Sequence, residues 1–294
     1  MRIPEKQRKM APLIPRMHLF EIDDQPWFPQ ALRTLFQAAL TVTWTLPLPI
    51  VQSHPPAKIV AQVLLEELGS DISDYIFVDF CAGAGGPTPF IENYINAHLR
   101  KKNVKAVNFT LTDLHPNIQY WDSVAAASPH LFYESKPVDA TKAPRHLMEP
   151  ANGKKSMRLF NLAFHHFDDC LAAQILKDTV ESSDGFAIFE LQDRSLASFV
   201  AVTLLAVGTL LLAPFYALKW RSPLALVFSW LIPILPAALA WDGYVSSLRT
   251  REPEEVEALL RSCGADTSQW ELRSGSNVHL WPVGYVNWII CRKI

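Results

Sequence analysis

The sequence predicts an α/β fold in which helices cover both faces of a parallel sheet, with an apolar helical hairpin inserted after the fifth strand. Three observations lead to this prediction. Strand-like and helix-like segments alternate over 56–197, as is typical of parallel sheets. A loop of small residues, 82–86, follows the first strand. An almost uncharged stretch, 199–241, interrupts an otherwise ordinary composition.

The composition limits the class of protein. The chain has 294 residues, of which 49% are hydrophobic and 19% charged, with a formal net charge of −2. A net charge near zero argues against a protein that binds nucleic-acid backbone. The four cysteines are scattered without metal-ligand spacing, so we expect no metal site and a reduced, cytosol-facing compartment.

The elements follow in chain order from the hydrophobic periodicity and the turn residues. Strands are predicted over 75–81, 106–112, 132–138, 158–163, 186–191, 270–274 and 285–292. Helices are predicted over 26–44, 57–68, 87–100, 116–127, 168–180 and 253–262. The predicted units are an N-terminal helical cap (1–55), a core (56–197), the apolar hairpin (198–244) and a C-terminal part that completes the core (245–294).

The basic N-terminal residues, 1–16, contain no apolar run and are therefore not expected to be a secretory signal peptide. They are interpreted either as a frayed tail or as a segment weakly attracted to an anionic membrane surface.

The strongest candidate site is the sequence VDFCAGAGG at 78–86, at the end of the first strand. Small residues such as Gly83 and Gly85 allow the backbone to approach a ligand closely, and the helix that follows offers free N–H groups. The loop has no Lys-Ser/Thr pair after it, which argues against a triphosphate.

Further polar residues follow the next strands. Asp113 comes after the second strand, where an acid accepts hydrogen bonds from ribose hydroxyls or caps the next turn. Asp139 and Ala140 follow the third strand, and the run NLAFHHFDD at 161–169 leaves the fourth. Because ligands bind at the carboxyl ends of parallel strands, these residues are expected to share one edge of the sheet.

Together these strand ends resemble the class I (Rossmann-like) S-adenosylmethionine-dependent methyltransferases over about 58–194 and the last two strands. The resemblance implies a seven-stranded sheet and S-adenosylmethionine as the cofactor, with Asp79 near its methionine amino group. Cys81 stands where many members have glycine, and the gap from Asp79 to Asp113 is longer than usual. The implied cofactor contacts are Asp79, Cys81, Ala82, Gly83, Gly85, Asp113, Leu114, Asp139, Ala140 and Asn161.

The adjacent histidines, His165 and His166, are the candidate catalytic residues. An alcohol or phenol acceptor gains from a base that removes its proton, while alignment supplies much of the remaining rate. The alternative is that one histidine caps the following helix or packs against an aromatic ring. The sequence NLAF at 161–164 lacks the prolines of the Asn-Pro-Pro-Tyr/Phe motif, which argues against a nucleobase amine as substrate.

The two apolar segments, 199–218 and 224–241, are each close to the ~20 residues that cross a bilayer. Three interpretations are open: two membrane spans, a re-entrant or interfacial hairpin, or a helical lobe within a soluble oligomer. Two spans would place the basic turn at 219–221 on the far side from a cytosolic catalytic domain, against the positive-inside tendency. Pro233 and Pro236 also break the second segment.

The sequence thus predicts a membrane-associated, cytosol-facing enzyme that methylates a hydroxyl of an apolar small molecule, such as a terpenoid, polyketide or lipid alcohol. Methylation of carbon, nitrogen or a carboxylate, and a non-catalytic membrane adaptor, are the alternatives. Membrane lipids are the expected partners, nucleic acid is not expected, and the oligomeric state is left open. The predicted substrate contacts are Trp27, His18 and Phe164.

Overall fold

A seven-stranded sheet forms the centre of the protein in a computed structural model that describes residues 14–48, 50–150 and 153–294. The strand order is β3-β2-β1-β4-β5-β7-β6. Strands β1 to β5 are parallel, and β7 runs antiparallel between β5 and β6. This order confirms the predicted fold class. The strands are β1 Tyr75–Asp79, β2 Phe109–Leu111, β3 Leu131–Tyr133, β4 Lys155–Asn161, β5 Gly185–Glu190, β6 Trp270–Leu280 and β7 Gly284–Lys293.

Ten α-helices accompany the sheet in the described part of the chain. They are α1 Gln30–Thr45, α2 Pro56–Leu68, α3 Thr88–Lys101, α4 Ile118–Ala125, α5 Arg145–Met148, α6 Asp169–Ser182, α7 Leu196–Lys219, α8 Pro223–Leu226, α9 Ile234–Arg249 and α10 Pro253–Ser262. Helix α10 begins with a capping box between Glu252 and Glu255, which satisfies backbone N–H groups that a helix start leaves free.

Each face of the sheet carries an apolar layer. Helices α2, α3 and α4 cover one face, and α5, α6 and α10 cover the other. Successive residues of β1 alternate between the two layers, with Phe77 in the first and Val78 in the second. Side chains that alternate across a strand and are buried on both sides are expected of a doubly covered parallel sheet.

Several predicted element boundaries are wrong. The third strand, predicted over 132–138, is only Leu131–Tyr133 because β2 offers it three paired positions. Strand β6 continues to Leu280 because it pairs with β7 over that whole length. The second apolar segment is not one helix: α8, a π-helical segment Val227–Leu231 and α9 follow one another, with a bend of 73° before α9. Pro233 lies at that bend, where its missing N–H interrupts the helical hydrogen bonds.

The insert packs on the N-terminal helix. Residues Phe28–Ala39 form a third apolar cluster with residues of α8 and α9 (Phe28, Leu32, Leu35, Phe36, Ala39, Ala225, Leu235, Ala238 and Leu239). Helices α7 and α9 approach closely at Gly243, because a Cβ there would lie 2.7 Å from Val202 Cγ1. The insert therefore extends the molecule beyond the carboxyl edge of the sheet.

Helix α7 is the one described helix that is long and apolar enough by itself to cross a bilayer. The mean hydropathy of its most apolar 18-residue stretch is 2.4, and only 17% of that stretch is buried. At 1.5 Å per residue its 24 residues span about 36 Å, against a hydrocarbon thickness of about 30 Å. The bent pair 223–231 and 234–249 qualifies as a second span only if both halves are counted together.

The segment before α1 is fastened to the end of α9. The carboxylate of Asp242 accepts hydrogen bonds from the backbone N–H groups of Ile22 (2.6 Å) and Asp23 (3.0 Å). The Arg249 guanidinium donates to the carbonyl of Leu19 at 2.6 Å. These bonds bring the acidic residues Glu21, Asp23 and Asp24 to the carboxyl edge of the sheet. The predictions for residues 1–13 lie outside the described residues.

Candidate functional site

The loop after β1 turns sharply through left-handed backbone conformations. Gly83 and Gly85 have φ of 53° and 85°, and Cys81 has φ of 60° although it is not glycine. Left-handed conformations are costly for residues with a Cβ and cluster at functional sites. The indole Nε1 of Trp121 donates to the Gly83 carbonyl at 3.0 Å, and this bond holds the loop against α4.

Directly before this loop lies a buried carboxylate. Asp79 is 1% exposed, and its oxygens accept hydrogen bonds from Thr88 Oγ1 (2.6 Å) and Asn161 Nδ2 (3.0 Å). No described lysine, arginine or histidine forms an ion pair with it. Burial therefore raises the pKa of Asp79 to about 7, although the two hydrogen bonds oppose that rise.

Asn161 contributes a second acceptor beside Asp79. Its Oδ1 atom is buried and has no hydrogen-bond partner, which is a costly arrangement unless a ligand supplies the donor. A buried carboxylate and a buried free carbonyl oxygen together fit a ligand that carries a cationic N–H group.

The remaining predicted cofactor residues lie along the same edge. Asp113 accepts hydrogen bonds from the backbone N–H groups of Gly83 (2.8 Å) and His115 (2.7 Å), so it both shapes the glycine loop and caps the next turn. Asp139 is exposed and accepts from Thr141. Ala82 and Ala140 are buried, whereas Leu114 is 53% exposed.

His165 is held by a carboxylate at the end of the neighbouring strand. It is buried, and its Nδ1 lies 2.9 Å from Glu190 Oε2. The backbone N–H of His165 also donates to Glu190 Oε1 at 3.2 Å. Glu190 therefore orients the ring, and Nε2 lies 3.7 Å from Oε1 of Glu21.

His166 lies in a different electrostatic environment. Its Nδ1 is 3.3 Å from Glu21 and 3.1 Å from Asp24. Burial opposes the charged ring, but the two carboxylates outweigh it and raise the pKa of His166 to about 9. His166 is therefore an imidazolium at neutral pH. An imidazolium has no free lone pair on its ring nitrogens, so His166 is not suited to act as a base at neutral pH.

The same cluster is close enough to share a metal ion, since ligand atoms of Glu21, His165 and His166 lie within 4.8 Å of one another. However, the Arg249 guanidinium lies 3.2 Å from Glu21, and Glu190 holds one nitrogen of His165. Positive charge from Arg249 and His166 already compensates Glu21, so we assign no metal ion to it.

An apolar cavity of about 390 Å³ opens beside these histidines. Faces of α1, α7 and α9 form its walls, and Leu162, His165 and His166 line the end nearest the sheet. Leu162 has a left-handed φ of 55° and directly follows Asn161. We call Asp79, Thr88 and Asn161 the Asp79 pocket. One short segment thus connects this pocket to the apolar cavity.

The three predicted substrate contacts do not line this cavity. His18 and Trp27 are exposed. Helix α1 begins at Gln30 rather than at residue 26, which leaves Trp27 in the preceding turn. Phe164 is buried among other rings, with Phe160 and Phe167 as neighbours. Contact of these three residues with a substrate remains a prediction.

Sequence reasoning also missed several polar residues of the cavity wall. They are Glu21, Asp23, Gln192, Asp242, Ser246 and His279. Burial lowers the pKa of His279 to about 4, so its imidazole is neutral. The available signal was Asp242, an acid that directly follows an uncharged stretch and is 3% exposed.

Comparison with known proteins finds no matching family profile and no match among curated proteins. Among solved structures, the chain is similar to magnesium protoporphyrin IX methyltransferase (ChlM) from Synechocystis PCC 6803, at 7% identity and a TM-score of 0.41, over 81% of this chain and 79% of that one. It is similar to the plantazolicin methyltransferase BpumL, at 11% identity and a TM-score of 0.45, over 90% of this chain and 98% of that one. It is also similar to a SAM-dependent methyltransferase from Anabaena variabilis ATCC 29413, at 10% identity and a TM-score of 0.47, over 97% of this chain and 100% of that one. Likenesses at TM-scores below 0.5 add no weight to the sheet order and the side-chain geometry.

Proposed function

We propose that this protein is an S-adenosylmethionine-dependent methyltransferase. The observation that carries the proposal is the buried pair of Asp79 and Asn161 beside the glycine loop, because it lacks a cationic donor. The α-ammonium group of the cofactor would supply that donor. Gly83, Gly85 and Asp113 would lie along the remainder of the cofactor, at the edge where parallel sheets bind their ligands.

We further propose that the acceptor atom is a hydroxyl oxygen. The bound cofactor supplies an electrophilic methyl group. His165 Nε2 takes the proton from the acceptor hydroxyl, which leaves the oxygen as the nucleophile. Glu190 orients the imidazole and stabilises the charge that it gains. A carboxylate acceptor needs no such base, so the pair of His165 and Glu190 favours an alcohol or phenol.

The cavity beside His165 supports an apolar small molecule as the substrate. Its volume of about 390 Å³ lies within the range of pockets that bind small ligands, and α1, α7 and α9 supply mainly apolar side chains. The four cysteines are free, which supports a catalytic domain in the reducing cytosol.

The test of the proposed function is calorimetry with S-adenosylhomocysteine, which carries the same ammonium group. We expect saturable binding whose apparent Kd falls about tenfold between pH 6 and pH 8. At pH 6 most Asp79 is protonated, because its pKa is raised to about 7, and the ligand must displace that proton. Absence of binding at every pH would contradict the proposal.

We propose that the insert attaches the protein to membranes. The outer face of α7 exposes several large apolar side chains, including Leu211, Phe215 and Leu218, and patches of this kind mark interaction sites. The double variant Leu211→Glu and Leu218→Glu is expected to move most of the protein from sedimented membranes to the supernatant. Val278→Glu, at an exposed apolar residue outside the insert, is the matched control and should stay bound. Equal sedimentation of both variants would refute this attachment.

A further inference from the structure

The cavity beside His165 continues as a groove along nearly the whole of α7. Among the residues of α7 and its C-cap that line it, one row recurs every three or four positions: Ala201, Leu205, Gly208, Leu212, Tyr216 and Trp220. This spacing is one face of a helix. From Ala201 to Trp220 the face extends about 28 Å at 1.5 Å per residue. We call this feature the α7 groove.

The two ends of the α7 groove differ in chemistry. Its lining carboxylates, Glu21, Asp23 and Asp242, belong to the end beside His165. Toward the other end the α9 and α8 walls are Leu239, Leu235 and Ala225, with Ser229 in the π-helical segment. A ligand that fits this gradient has a polar head at His165 and an apolar tail directed toward Trp220.

The shape of the α7 groove favours one extended chain over a compact ring system. About 390 Å³ spread over about 28 Å gives a mean cross-section near 14 Å². An extended hydrocarbon advances roughly 1.25 Å per C–C bond of ~1.5 Å, so the groove matches a chain of about 20 carbons. Leu204 and Leu212 line the groove and are also 48% and 38% exposed, so it is open along one side.

We propose that the α7 groove binds the single hydrocarbon chain of a lipid alcohol whose hydroxyl lies at His165. This substrate class rests on the proposed methyltransferase function. The open side that Leu204 and Leu212 border faces outward with the exposed side of α7, so the chain enters laterally from the bilayer.

Gly208 offers a way to shorten the groove without disturbing the fold. It lies in the groove wall, and a Cβ placed there meets no atom within 4 Å. A larger side chain at this position would project into the groove about 10 Å from Ala201, which is a depth of about eight carbons. Val207, its neighbour, is 45% exposed and is not part of the wall, so Val207→Phe is the matched control for Gly208→Phe.

The test uses 1-alkanols of 8, 12, 16 and 20 carbons that carry a terminal diazirine, photolysed on the full chain in lipid nanodiscs. We expect the cross-linked residue to advance along the groove with chain length, from near Gly208 for the shortest alkanol to Tyr216 and Trp220 for the longest. Gly208→Phe should abolish cross-links beyond Leu212, whereas Val207→Phe should behave as wild type.

Cross-links confined to the outer face of α7 at every chain length, or no effect of Gly208→Phe, would overturn the proposed substrate class. Calorimetry with S-adenosylhomocysteine on the same samples separates the two proposals. Cofactor binding without length-dependent cross-links would support the methyltransferase function and contradict the lipid-alcohol substrate. Length-dependent cross-links without cofactor binding would support a lipid-binding site and contradict the methyltransferase function.

Discussion

Replacing His165 by alanine is expected to lower turnover by 10²–10⁴-fold, the usual contribution of a positioned general base. The affinity for S-adenosylhomocysteine should change little, because the Asp79 pocket does not contain this side chain. The measurement is transfer of a labelled methyl group from S-adenosylmethionine into molecules extracted from membranes, with mass spectrometry to identify the product. The same measurement names the acceptor.

Two further variants show whether His165 acts as a base or only packs against its neighbours. Glu190→Gln keeps the shape of the partner but removes the charge that stabilises the protonated ring, so turnover should fall and its pH profile should shift. His166→Gln removes an imidazolium that contacts Glu21 and Asp24, and its effect on turnover should be smaller than that of His165→Ala. Full turnover in His165→Ala would refute the assigned role.

Replacing Asp79 by asparagine is expected to weaken S-adenosylhomocysteine binding by about 100-fold or more, because an unpaired buried ammonium costs several kcal/mol. The stability of the unliganded protein, in contrast, should not fall. Folding raises the pKa of the Asp79 carboxyl from 3.8 to about 7, so its cost to the folded state accumulates as the pH rises between these two values and is at its full size above them. At pH 8 the variant should therefore have an equal or higher Tm.

The combination of lost ligand binding and retained stability separates a binding role from a folding role. Asp266→Asn makes the same chemical change at an exposed acid that accepts only from Ser268 in a turn, and should leave affinity unchanged. A lowered Tm together with normal ligand affinity in Asp79→Asn would show that this carboxylate is structural.

The sheet was predictable from sequence because its strands are short apolar runs separated by helical periodicity. The extent of each strand was not. Strand β3 ends at Tyr133 because its partner β2 has three residues, and β6 reaches Leu280 because β7 returns along it. Such lengths depend on pairing partners rather than on local propensity. The break between α8 and α9 was indicated by Pro233, but its angle depends on packing against α1 and α7.

The cluster around Asp79 was predictable because its residues directly follow strands, where the topology brings them together. The cavity beside His165 was not, because it is built from distant segments. Glu21 reaches His165 only through the hydrogen bonds that Asp242 and Arg249 make to the segment before α1. The carboxylates that raise the pKa of His166 are also long-range neighbours, so two adjacent histidines in sequence could not be told apart.

Helix α7 begins at Leu196, six residues after Glu190 ends β5. Glu190 and the α7 wall of the groove therefore belong to one continuous stretch of polypeptide, while Asp79 and Asn161 belong to β1 and β4. Under the proposed function, selectivity for the acceptor and methyl transfer are separable traits. We expect that exchange of the outer part of the insert would redirect the protein to other acceptors and leave the proposed reaction unchanged.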